Sequence, residues 1–333
     1  MPSIADTTVE MVQLVFPEHA GAPGQIHGGR MMQWITQAGT MAAARVARGT
    51  VVLGAMDDID FLQPVKVGDI AILRAQVEYV GTSSLEVGVR VWAEHVATGR
   101  RAVTLNSHLV FVSVDEDVRP RPVRDKIQPA DAHEAALHDE ARLRREARLQ
   151  RLAQKRGRSA EMPGAAVRDE EVRWRFESVR SVLPEDALFG SLMFPGKMLM
   201  DIDEAGGILS MRYCKGFVMT ACLDAMDFYA PIFTHEVVVF KAALNYVGDS
   251  SLEVGVKVMA ETPWSGDTRH ACTAFLTFVH LELGPEGLRP VPCRAFTPET
   301  ETERRRWEEA VPRRERRLAR VERLKATLSN ERG

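Results

Sequence analysis

Two stretches, YVGTSSLEVGVRVW at residues 79–92 and YVGDSSLEVGVKVM at residues 246–259, agree at 11 of 14 positions and stand 167 residues apart. Identity of that density within one chain means duplication, and a unit of about 165 residues is a domain rather than a solenoid repeat. The same offset, without a gap, superposes Pro17-Glu18-His19-Ala20 on Pro184-Glu185-Asp186-Ala187 and Ala38-Gly39 on Ala205-Gly206. It also aligns Asp60-Phe61 with Asp227-Phe228 and Phe111-Val112 with Phe278-Val279. The chain is therefore expected to fold as two copies of one domain, at residues 1–125 and 173–295. Charged helical segments follow each copy, at 126–172 and 296–333.

Residues 31–47 (MMQWITQAGTMAAARVA) are rich in Ala and Met, lack proline and follow Gly28-Gly29, which predicts a buried helix with 198–214 as its counterpart. Segments rich in β-branched residues and bounded by turn residues come next, at 51–56, 70–80, 84–95 and 102–114. In the second copy they fall at 218–224, 236–247, 251–261 and 270–283. One helix followed by consecutive strands, with no βαβ alternation, predicts an α+β domain in which an antiparallel sheet wraps a central helix.

Of the 333 residues, 45% are hydrophobic and 27% charged, and the net charge is −3. That composition is globular, has no apolar run long enough for a membrane span, and supplies no overall basic field for nucleic acid. The N-terminus has no charged-then-apolar leader, so a cytoplasmic location is expected. Cys214, Cys222, Cys272 and Cys293 contain no CxxC pair, and neither a disulfide nor a zinc site is expected. Residues 130–155 and 299–330 are dense in Arg and Glu and are expected to be solvated helices, with residues 156–170 a flexible connector.

The chemistry-bearing stretch is Gly24-Gln25-Ile26-His27-Gly28-Gly29, directly before the first buried helix. Glycines there admit close approach to the backbone, and a helix N-terminus stabilises developing negative charge. The plainer alternative is a glycine turn with His27 as a packed or capping residue. Comparison of the copies favours a site. Gln25 aligns with Leu192, His27 with Phe194 and Gly28 with Pro195, so the second entrance has lost its polar groups. Within the helix the sorting reverses, since Asp203 aligns with Thr36. His27 and Thr36 of one copy lie roughly 13 Å apart along a helix, too far for joint chemistry. Pairing the halves about a pseudo-twofold axis, with antiparallel central helices crossing near Met32 and Leu199, brings Asp203 to the Gln25–Gly29 entrance. It leaves Thr36 facing Phe194 and Pro195. Gly39, Gly206 and Gly207 would suit such closely approaching helices. Asp201 points about 200° away from Asp203 and reads as a surface or capping charge, and Glu204 is a secondary candidate.

In the motifs PEHAGAPGQIHGG, QAGTMAAAR, DFLQPVKVGD and GTSSLEVGVRVWAE of the first half, and IDEAGGILSMRYCKG, CLDAMDFYAPI and GDSSLEVGVKVMAE of the second, the chain resembles the double-hotdog acyl-CoA thioesterases. The resemblance covers nearly the whole chain. It implies tandem hotdog folds paired as a double hotdog, and three such chains assembled as a homotrimer, a ring of six hotdog domains. It further implies hydrolysis of fatty acyl-CoA to free fatty acid and CoA without metal or cofactor, coenzyme A being part of substrate and product. The family's catalytic pair, an amide and an aspartate, falls on Gln25 and Asp203, with His27, Gly28 and Gly29 as oxyanion and positioning groups. The amide is usually Asn, so Gln25 is one methylene longer, and the second entrance lacks both amide and His. One working site per chain is expected. Ser83, Ser84, Ser250 and Ser251 would contact the pantetheine or nucleotide, or simply close β-turns. Met31, Met32 and Trp34 would line an acyl tunnel, or fill the core. The rival readings are an acyl-CoA-binding or scaffold protein of the same fold with weakened turnover, and a hydratase, which needs an Asp-x4-His pair absent here.

Overall fold

A computed structural model describes residues 1–161, 171–285 and 287–330. The first half runs β1 (Val9–Leu14), α1 (Gly28–Ala47), β2 (Val51–Met56), β3 (Ile59–Asp60), β4 (Ile70–Val80), β5 (Ser84–His95), β6 (Arg100–Ser113) and α2 (Ala132–Glu161). The second repeats the order as β7 (Arg175–Ser181), α3 (Pro195–Cys214), β8 (Phe217–Leu223), β9 (Met226–Asp227), β10 (Val237–Val247), β11 (Ser251–Thr262) and β12 (Asp267–Gly284). A short β13 (Gly287–Pro290) and α4 (Glu301–Asn330) complete it. Most of the connector expected over 156–170 lies outside the described residues, and residues 156–161 continue α2.

The duplicated motif forms the hairpin of β4 and β5 and, in the second half, of β10 and β11. Even its irregularity is duplicated: the register shifts between Val77 and Tyr79, and again between Leu244 and Tyr246. Each bulge adds twist, which helps a sheet curl around a helix. The curl is tight enough that Phe111 and Phe278 press their rings on Gly39 and Gly206; a Cβ would come within 3.1 Å and 2.9 Å of them. These glycines therefore face their own sheets, not the opposite helix as the sequence suggested.

The helices meet elsewhere. A Cβ on Gly29 would stand 2.8 Å from the Met200 Cα, and one on Gly196 would stand 3.1 Å from the Gln33 Cα. That symmetric pair makes α1 and α3 antiparallel and centres their crossing near Met31 and Met198, one residue earlier than expected. The halves also exchange strands. The first sheet runs β1-β4-β5-β6-β2-β9 and the second β3-β8-β12-β11-β10-β7, so each half lends a two-residue strand to its partner. Each half thus caps one open sheet edge of the other.

The charged extensions are not simply solvated. Along α2, Arg144, Arg148 and Arg151 share one face and reach Glu78 (2.5 Å), Glu86 and Asp227 (3.2 Å). Along α4, Arg313, Arg317 and Arg320 repeat the spacing and reach Glu253 (2.6 Å), Asp224 (3.0 Å) and Asp60 (2.6 Å). The carboxylates are buried on the sheets, and burial pushes Glu78 up to about 7 although Arg144 opposes it. Arg151 and Arg320 each cross to the other half, so both helices act as clamps. Sequence composition showed the charges but not that one arginine face would dock. Arg320→Met is expected to cost about 3 kcal/mol by stranding the Asp60 carboxylate. Adding Asp60→Asn should restore part of that, and urea midpoints of the single and double variants will show whether it does.

Candidate functional site

At the crossing, the N-terminus of α1 meets the middle of α3. His27 starts α1: its extended backbone lets the ring Nδ1 accept from the Gly29 N–H at 3.1 Å. The same N–H donates to Asp203 Oδ2 at 2.7 Å, and the His27 Nδ1 stands 3.4 Å from that oxygen. The Thr220 hydroxyl on β8 donates to the other oxygen, Asp203 Oδ1, at 2.7 Å. Asp203 is 1% exposed and His27 is 27% exposed, so the carboxylate lies at the base of the site and the imidazole at its rim.

Two glycines make this approach possible. A Cβ on Gly28 would fall 2.6 Å from the Thr220 side chain, and one on Gly29 would fall 3.0 Å from the Asp203 Cβ in addition to striking α3. Burial raises the Asp203 pKa, while His27, the Thr220 hydroxyl and the Gly29 N–H oppose that rise by favouring the carboxylate. The result is a desolvated base whose two oxygens are both oriented, one by each half's backbone or side chain.

His27, Gly28, Gly29 and Asp203 are thus brought together from opposite halves. Gln25 sits two residues upstream, in a loop closed by its own N–H to the Ala22 carbonyl and by the Gly21 N–H to the Gln25 carbonyl. It is not hydrogen-bonded to Asp203. Its side-chain Oε1 is shielded from solvent and has no hydrogen-bond partner among the described residues. Asp201 is an ion-pair partner of Arg180 at 2.7 Å, and Glu204 is exposed, so neither competes with Asp203. Ser83, Ser84, Ser250 and Ser251 close the hairpins: the Gly81 N–H bonds the Ser84 carbonyl, and the Gly248 N–H bonds the Ser251 carbonyl. None of the four bonds the Asp203 cluster. Met31, Met32 and Trp34 are buried in the core.

Thr220 escaped the sequence reading, yet a signal existed. Its equivalent in the first half is Leu53, the same one-sided loss seen at Gln25, His27 and Asp203. The pseudo-equivalent region has become an apolar cavity of about 250 Å³, walled by Leu53, Leu192, Phe194, Pro195 and Met198 among others. Thr36 turns its hydroxyl back to the Met32 carbonyl at 2.8 Å. Among the described residues, no helix is long and apolar enough to cross a membrane.

The model of the thioesterase superfamily matches this chain twice, at residues 23–99 and 190–264. The first match spans the Gln25–Gly29 entrance and the second spans Asp203 and Thr220. The chain is 28% identical over 319 residues to the cytosolic acyl coenzyme A thioester hydrolase of Mus musculus, covering 92% of this chain and 82% of that protein. It is 27% identical over 330 residues to the acetyl-coenzyme A thioesterase of Rattus norvegicus, covering 96% of this chain and 59% of that protein. Against the uncharacterized acyl-CoA thioester hydrolase YkhA of Bacillus subtilis, it is 36% identical over 134 residues, covering 40% of this chain and 77% of that protein. The 36% identity to a relative covered over 77% of its length, together with one family match in each copy of the duplicated domain, places the chain in the thioesterase superfamily as a tandem of two hotdog domains.

Proposed function

We propose that the chain hydrolyses the thioester of fatty acyl-CoA to a free fatty acid and CoA, at one composite site per chain. The observation that carries this reading is the buried Asp203 carboxylate held at the N-terminus of a helix from the other half. A base and a terminus suited to negative charge are what thioester hydrolysis needs together. The relatives' names, acyl-CoA and acetyl-CoA hydrolases, support the substrate class.

In this mechanism Asp203 takes a proton from water as the water oxygen bonds to the thioester carbon. The first-turn N–H groups of α1 other than that of Gly29, which is bonded to Asp203, stabilise the resulting oxyanion. Its collapse breaks the carbon–sulfur bond, and the Asp203 carboxyl returns the proton to the CoA thiolate. Thr220 and the Gly29 N–H hold the carboxylate in one orientation. Gln25, whose amide oxygen is shielded and unpartnered, accepts a hydrogen bond from the attacking water. No metal or cofactor enters these steps.

Assembly as a trimer of double hotdogs belongs to the same proposal. Its support is a pair of equivalent exposed apolar residues on the outer strands, Val12 on β1 and Val179 on β7, with Phe16 and Leu183 just beyond them. A cytoplasmic location is supported by relatives named cytosolic.

Asp203→Asn is expected to lower kcat for acyl-CoA by roughly 10³-fold with little change in KM, read as thiol release. If wild type and variant are equally inactive while both bind CoA, the protein is a binding module instead. The pH profile gives an independent check. Asp203 must be ionised to act as base, so activity falls as pH drops through its pKa, and burial places that fall above the ordinary aspartate range. Thr220→Val removes a hydrogen bond that favours the carboxylate, so it should move the acid limb to still higher pH, and an unmoved limb would contradict the assignment.

A further inference from the structure

Cys214, His280 and Cys293 are distant in sequence, but their ligand atoms lie within 4.8 Å of one another. They come from the last residue of α3, from β12, and from the segment between β13 and α4. The His280 Nδ1 lies 2.9 Å from the Pro292 carbonyl, which can only accept, so Nδ1 carries the proton and Nε2 keeps the lone pair. The Cys293 backbone is fixed in turn by its N–H to the Asp249 carbonyl at 2.6 Å.

The first half shows what this position is for. The residues equivalent to Cys214 and His280 are Ala47 and Ser113, and the equivalent of Cys293 is Val123, whose N–H bonds the Thr82 carbonyl as that of Cys293 bonds Asp249. There the Arg121 guanidinium bonds the Ala47 carbonyl at 2.8 Å and the Ser113 hydroxyl at 3.2 Å, and packs over Gly49. A cation thereby clasps the end of α1, the last long strand and the segment leading to α2. In the second half Val291, whose N–H bonds the His280 carbonyl as that of Arg121 bonds Ser113, takes the place of Arg121, and the His280 ring packs over Gly216, the equivalent of Gly49. The cationic clasp has gone, and two sulfurs and an imidazole stand in its place.

We propose that Cys214, His280 and Cys293 bind a thiophilic divalent cation, Zn²⁺, which staples the end of α3 to the segment leading into α4. Two thiolates and one imidazole are a zinc donor set, with a fourth position left for water. Binding releases two thiol protons to solvent and leaves the site neutral. The spacing rule that excluded zinc from the sequence considers close pairs such as CxxC, whereas these ligands converge only in the fold. Cys214 lies 11 residues beyond Asp203 on α3, roughly 16 Å along the helix axis, so the metal is separate from hydrolysis.

The test uses the full chain, reduced and stripped with a chelator, then titrated with Zn²⁺ against a chromophoric competitor and, in parallel, with Co²⁺. One equivalent of Zn²⁺ per chain, a thiolate-to-cobalt charge-transfer band and a zinc-dependent rise in Tm are expected. All three should vanish in Cys214→Ser/Cys293→Ser, and His280→Asn should keep the band but weaken zinc binding. A metal-free Tm matching that of stripped wild type shows that the variants fold. Thioester hydrolysis should be unchanged by stripping. Equal zinc uptake by wild type and the double serine variant, or a Cys214–Cys293 disulfide forming in place of metal uptake, would overturn the proposal.

Discussion

Gly29 donates its N–H to Asp203 across the boundary between the halves, and the bond exists because no Cβ stands between α1 and α3. That approach constrains much else. It requires glycine at both ends of the crossing, Gly29 against Met200 and Gly196 against Gln33. It removes Asp203 from water, which raises its pKa and would leave a costly bare charge without the Gly29 N–H and the Thr220 hydroxyl. It also demands that the two halves hold a fixed register, because a shift of one residue on either helix would break the bond.

The register is held by devices far from the site. The exchanged strands β3 and β9 tie each sheet to the other half's chain. Arg151 and Arg320 bring the extension helices onto Asp227 and Asp60, carboxylates that occupy equivalent places on opposite halves. Duplication explains why these devices come in pairs. The active side does not. The Asp203 cluster is built once, and its twin position is a cavity walled by Leu53, Leu192 and Phe194. The asymmetry extends to the clasp at the helix C-termini, an arginine in one half and two thiols with an imidazole in the other.

Much of this was legible in the residues themselves. The 79–92 and 246–259 repeat defined the hairpins, and the predicted strands 51–56, 70–80 and 84–95 coincide with β2, β4 and β5. The opposite sorting of Gln25, His27 and Asp203 identified a composite entrance, although Gln25 itself makes no bond to Asp203. What stayed hidden has physical reasons. The outer strand β7 (RFESVRS) alternates too weakly in hydrophobicity to stand out, and β3 and β9 are two residues long and exist only through pairing with the other half. The arginine faces of α2 and α4 carry the composition of solvated helices, and only the buried carboxylates opposite them reveal docking. Thr220 is a single polar residue in a strand, and the Cys214, His280 and Cys293 cluster depends entirely on tertiary contact.

We infer that the two halves build one site, with the entrance from the first and the carboxylate from the second. A crystal structure of the full chain with a non-hydrolysable thioether analogue of acyl-CoA tests it most directly. One analogue per chain is predicted, with its reacting carbon beside Asp203 and the first turn of α1. An analogue seated instead against Leu53, Phe194 and Pro195, or two bound equivalently in each chain, would contradict the account.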